Sequence, residues 1–108
     1  MMNLNEYFAA NHEPINDDEL YSINTPVKRI HCVDGFNLSV QASRGAYCSP
    51  RENVGPWSMV EVGFPSAEPE LIMEYAEQSE DPTGTVYGYV PIGLVEELIE
   101  LHGGQQQV

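Results

Sequence analysis

Glutamates dominate the residues that could do chemistry. Glu70, Glu74 and Glu77 recur at spacings of four and three, and Glu96, Glu97 and Glu100 at one and three. On an α-helix, at about 100° per residue, the first three fall within about 60° of one another. They lie opposite Leu71, Ile72, Tyr75 and Ala76, while the second set lies opposite Leu94, Leu98 and Leu101. A general acid and base need unlike environments, one of them buried to raise its pKa. Glutamates opposite an apolar stripe do not meet that need, so paired-carboxylate catalysis is not expected.

Like charges three or four residues apart on a helix repel by about 0.2–0.5 kcal/mol per pair. Repeating every 5 to 6 Å or so along a helix, such carboxylates approach the spacing of phosphates on a nucleic-acid strand. Two readings stay open: a surface for a basic partner, or two solvated helix faces.

The soft ligands are His12, His31, His102, Cys32 and Cys48, with no CxxC, HxxxH or HExxH spacing, so no metal site or cofactor is expected. Two cysteines are too few for a disulfide scaffold and read as free thiols. Cys48 lies between Arg44 and Arg51, a setting in which neighbouring cations could lower a thiol pKa, yet no base or oxyanion signature accompanies it. GxSxG, GxxxxGK and GxGxxG are absent, so nothing supports a serine hydrolase or a nucleotide-binding loop. Arg44, Tyr47, Arg51 and Trp57 form the other candidate surface, being of the residue types enriched at interface hot spots. The alternative makes Trp57 a core anchor and pairs the arginines with nearby acids.

The formal net charge is −13, and all four Lys and Arg residues lie between Lys28 and Arg51. Residues 52 to 108 carry eleven acids and no Lys or Arg. Such a surface repels nucleic acid and anionic membrane and attracts basic proteins. No apolar run approaches the roughly 18 to 20 residues of a bilayer span. The first residues lack a signal-peptide pattern, so a cytoplasmic protein is expected.

The elements that must position these groups follow from periodicity and turn residues. Residues 1–26 read as a helical arm and loop, with Leu4, Tyr7 and Phe8 at helical spacing and a second helical turn from Asn16 or Asp17. Asp34-Gly35 suits a two-residue type I′ hairpin joining strands 27–33 and 36–43. In that register His31 faces Leu38 and Arg29 faces Val40, which puts His31 at the core edge. Residues 44–56 read as a long exposed loop. A third strand covers 57–64, with Val60, Val62 and Phe64 on one side. A helix over about 69–78 begins at Pro69, Asp81-Pro82-Thr83-Gly84 is a turn, and 85–90 is a fourth strand. The last helix begins at Pro91, carries an apolar stripe of Leu94, Val95, Leu98, Ile99 and Leu101, and stops at Gly103-Gly104. The expected fold is α+β: a mainly antiparallel four-stranded sheet with two helices on one face. The main domain is expected over 27–104, with a disordered tail over 105–108.

Val33-Asp34-Gly35-Phe36, Ser39 to Ser43, Tyr47 to Arg51, Glu61 to Ser66 and Val86 to Pro91 together resemble small phage- and prophage-encoded proteins of unassigned function. That class includes acidic anti-CRISPR and anti-restriction inhibitors, some of which resemble DNA in charge. The resemblance implies an inhibitor, acting in the cytoplasm of an infected bacterial host, that binds a basic protein or nucleoprotein complex without binding nucleic acid itself. It transfers no site residue. The alternatives are a phage accessory or structural protein, whose acidity serves solubility, and a small enzyme using Cys48. Nothing in the sequence sets the oligomeric state.

Overall fold

The computed structural model describes residues 1–11 and 26–106. The turn expected from Asn16 or Asp17, the histidine His12 and the last two tail residues lie outside them. The described chain forms α1 (Leu4–Asn11), β1 (Ile30–His31), β2 (Asn37–Gln41), β3 (Met59–Gly63), a 3-10 helix (Glu70–Tyr75), β4 (Val86–Pro91) and α2 (Ile92–Leu101). The strands make one antiparallel sheet in the order β1-β2-β3-β4. The 3-10 helix and α2 touch each other and both touch β4. Leu38, Val40, Val60, Val62, Tyr87 and Val90 supply the sheet's share of the core, and Ile72, Val95, Leu98 and Ile99 cover it. Each such aliphatic or aromatic side chain contributes about 1.5–3 kcal/mol by leaving water.

The hairpin departs from the two-residue turn. Cys32 N–H donates to Phe36 O and Gly35 N–H donates to Cys32 O, at 2.7 and 3.0 Å. The loop is therefore Val33-Asp34-Gly35, and Gly35, at φ 99°, adopts the left-handed conformation that closes a three-residue hairpin. Ile30 pairs with Leu38 and His31 with Asn37, one residue away from the expected register. A one-residue slip turns every side chain of a strand to the other face. Ile30 and Cys32 are buried, while His31, Arg29 and Val33 are exposed. His31 is thus a surface residue, and Arg29 donates to Asn37 Oδ1 and to Phe64 O.

The displaced loop docks on the end of α2. Gly104 N–H donates to Ile99 O and Gly103 N–H to Glu100 O, with both glycines at positive φ, which is the Schellman arrangement. His102, the cap residue, stacks on Phe36 at 3.9 Å between ring centroids and meets Asp34 Oδ2 at 2.7 Å through Nδ1. Gln105 bridges Cys32, and Gln106 N–H donates to His31 O at 2.7 Å. These two residues, expected in a disordered tail, extend the sheet beside β1. Leu101 is 67 % exposed, because Val95, Leu98 and Ile99 set the buried side of α2 and Leu101 lies about 110° around the helix from their centre.

The amino-terminal helix is part of the core. Leu4 and Phe8 are fully buried, and Phe8 meets Trp57 edge-on at 5.4 Å between centroids. Asn3 caps α1 by accepting from Glu6 N–H at 3.0 Å. Asn5 clamps the Trp57 backbone, donating to its carbonyl and accepting from its N–H. An eight-residue helix is too short to persist alone, so these contacts hold it.

Candidate interaction surface

Glu68, Glu70, Glu74, Glu77, Glu80 and Asp81 are all exposed. Among the described residues, no Lys, Arg or His side chain forms an ion pair with any of them. Their arrangement is not the expected ridge. The segment 69–78 forms a six-residue 3-10 helix over Glu70–Tyr75, with about three residues per turn and a rise near 2 Å. Glu70 and Glu74 therefore diverge by about 120° and stand about 8 Å apart along the axis. Glu77 lies beyond the helix, where its N–H donates to Val86 O. Helix growth stops because Ala76 turns extended and bridges Tyr87. Of the apolar side, Ile72 is fully buried while Leu71, Tyr75 and Ala76 are half-buried. The result is a scattered acidic face without phosphate-like periodicity.

On α2 the three glutamates have separate fates. Glu97 and Glu100 are exposed, whereas Glu96 is half-buried and its Oε2 accepts from Leu4 N–H at 2.9 Å. Glu96 thus neutralises an unpaired donor at the start of α1, where a carboxylate also meets the positive end of the helix dipole. No local pattern could reveal this partner, which lies 92 residues away.

The 44–56 segment is pinned down rather than freely exposed. Ala46 and Cys48 are buried, Ser49 bridges Met59, and Tyr47 N–H donates to Glu61 Oε2 at 2.8 Å. Of the two readings of Trp57, interface contact or core anchor, the second holds: it is 5 % exposed, and its indole N–H donates to Glu52 O. It is a core anchor because its ring seats against Phe8. Cys48 is not an activated thiol: burial pushes its pKa up, against the weaker effects of hydrogen bonding to Ser43 and of Arg51. Its Sγ sits 3.2 Å from Ser43 O and 3.3 Å from Pro50 O. Arg44 and Arg51 are exposed, and the Arg51 guanidinium lies 5.6 Å from the Tyr47 ring centroid.

Tyr47, 40 % exposed, is joined by Tyr89, 41 % exposed, with ring centroids 6.1 Å apart. Tyr89 was not singled out in the sequence. Its position follows from a bulge: Val60 pairs with Val90 but Val62 pairs with Tyr87, so Gly88 and Tyr89 together oppose Glu61. The bulge lets Tyr87 and Val90 both enter the core and turns Tyr89 outward at φ 53°. The signal was Gly88, since glycine inside a strand often marks a bulge or a close backbone approach. A Cβ on Gly88 would lie 3.3 Å from the Tyr47 Cβ.

No family model, curated protein or solved structure matches the chain. Among the described residues no three His, Cys, Asp or Glu side chains converge as a metal site would require. No helix among them is long and apolar enough to cross a membrane.

Proposed function

We propose that this is a binding protein, not an enzyme, whose acidic surface engages a basic protein surface of a nucleic-acid-handling complex, as a phage-type inhibitor would. One observation carries the reading: six carboxylates between Glu68 and Asp81 face solvent with no cationic side chain paired to them among the described residues. A fold gains nothing from such self-repulsion, whereas a basic partner does. Surfaces that bind nucleic acid are basic by necessity, which makes them the natural counterpart. The resemblance of several short segments to small phage proteins supports the inhibitor role and a cytoplasmic site of action. The scattered spacing of the carboxylates favours electrostatic docking over a templated copy of a phosphate backbone.

The test is the triple variant Glu70→Gln, Glu74→Gln, Glu80→Gln, compared with the wild type in capturing basic nucleoproteins from a bacterial lysate and in association kinetics with the captured partner. Stability should hold or rise slightly. Association should slow, and the loss should shrink as salt screens the field over a Debye length of about 10 Å at 0.1 M. A triple variant that associates like wild type at low salt would leave the acidity to solubility and favour an accessory role.

A further inference from the structure

Beside the acidic face, Tyr47, Tyr75, Ala76, Glu77, Gly88 and Tyr89 enclose an open cleft of about 290 Å³. We propose that this cleft receives an arginine side chain of the partner protein, an inference that rests on the basic-partner reading and names the contact it makes.

Size argues first. Pockets for drug-sized ligands run from roughly 300 to 1,000 Å³, so this cleft, at the bottom of that range, has room for a single side chain. Its chemistry is that of a cation receptor. Three tyrosines line it, the rings of Tyr47 and Tyr89 with centroids 6.1 Å apart, and the exposed Glu77 lines it with them. A cation within about 6 Å of a tyrosine ring centroid is attracted by the ring quadrupole. Arginine fits best, because its planar guanidinium stacks on aromatic rings and can pair with a carboxylate through two N–H groups at once. The protein already shows this preference, since Arg51 places its guanidinium 5.6 Å from the Tyr47 centroid. The charges near the cleft favour a cation despite Arg51: Glu77 lines it, and the Glu61 carboxylate is bonded to the N–H of Tyr47, another lining residue.

The backbone holds the cleft ready. Tyr89 N–H donates to Tyr47 O at 2.9 Å, fixing the two ring-bearing residues to each other. Gly88 lets the Tyr47 segment approach the sheet. Ala76 bridges Tyr87 and Glu77 N–H donates to Val86 O, which anchors the segment carrying Tyr75 and Glu77 to β4.

The experiment titrates the ¹⁵N-labelled full chain with N-acetyl-arginine methylamide, with its uncharged isostere N-acetyl-citrulline methylamide, and separately with a deca-arginine peptide. The arginine derivative should shift the amides of Tyr47, Glu77, Gly88 and Tyr89, and the citrulline derivative should not. Tyr89→Gly, which meets φ 53° without strain, and Glu77→Gln should each weaken arginine binding about two- to five-fold. Equal binding of citrulline, shifts located elsewhere, or unchanged affinity in both variants would overturn the cleft. Deca-arginine separates this failure from failure of the basic-partner reading. If the peptide binds the two cleft variants as tightly as wild type but loses affinity for the Glu70, Glu74, Glu80 triple variant, the acidic face stands and the cleft falls. If single arginine fills the cleft while the triple variant keeps full affinity for the peptide, the cleft stands and the acidic face falls.

Discussion

Replacing Glu96 tests whether one carboxylate of the last helix is structural while its neighbours are not. The Leu4 N–H to Glu96 Oε2 bond is 2.9 Å long and partly buried, and Leu4 itself is fully buried. A hydrogen bond to a charged group contributes about 1.5–3 kcal/mol, and a carboxylate at a helix N-terminus about 0.3–1, rising to about 2 where partly buried. These describe the same contact and are not summed. Because Glu96 is only half-buried, water recovers part of the loss, and Glu96→Ala should cost about 1–2 kcal/mol. Glu96→Gln keeps an acceptor but loses the charge, and should cost about half as much. Glu97→Ala and Glu100→Ala should stay within about 0.5 kcal/mol of wild type. For a domain of this length each kcal/mol moves Tm by about 4–8 °C, so the Glu96→Ala shift should be plain. Near-ultraviolet dichroism of Trp57 is the right probe, since Phe8 of α1 packs edge-on against it. If Glu96→Ala melts with Glu97→Ala, the tie to α1 contributes nothing and the argument is refuted.

Two further outcomes are expected. The Asp34 carboxyl is held below its usual pKa, chiefly by the Phe36 N–H and then by His102. A lowered folded pKa adds stability that is complete above the unfolded value, about 3.9, and is lost as pH falls through the folded one. Wild type should therefore be more stable than Asp34→Asn at neutral pH, with their urea midpoints converging below about pH 4; a gap that persists at lower pH would contradict the assignment. Cys32 and Cys48 are both buried with pKa values raised by burial. Both thiols should resist iodoacetamide in the folded protein and react in urea, as followed by intact mass, and rapid native labelling of Cys48 would reopen a thiol chemistry.

Patterns that depend on neighbouring residues were legible in the sequence. Alternation marked Val60 and Val62 as one buried face, the glycine pair marked the end of α2, and Asp81-Pro82-Thr83-Gly84 marked a turn, with Gly84 N–H donating to Asp81 O. Features decided by one residue of register or by tertiary contact were not. Asp34-Gly35 is compatible with a two- or a three-residue hairpin, and only the docking of Val33 and Asp34 N–H groups on Gly104 O and His102 O selects the longer loop. Phe64 continues the alternation of β3, yet at φ 49° it leaves the strand and is 51 % exposed. An α-helical period over 69–78 was plausible, but Ala76 gains a sheet partner in Tyr87 by ending the helix early. The arginine and tyrosine surface was half visible: Tyr47 and Arg51 could be named, whereas Tyr75 and Tyr89 join them only through the bulge and the early helix end.

The fold itself sorts the acidity. Asp34 serves the hairpin turn and the end of α2, Glu61 holds the Tyr47 N–H, and Glu96 caps α1. Each lies against a donor that would otherwise be left to water, and each is distant from the others in sequence. By contrast Glu68, Glu70, Glu74, Glu77, Glu80 and Asp81 crowd into one stretch, all exposed, and no cationic side chain among the described residues pairs with them. If acidity served solubility alone, charge could be spread evenly, which lowers repulsion at the same net value. Concentrating it in a stretch that carries no Lys or Arg, beside a tyrosine cleft, raises the local field where a basic side chain would arrive. Under the proposed binding role, that concentration, more than the net charge of −13, is what the partner would recognise.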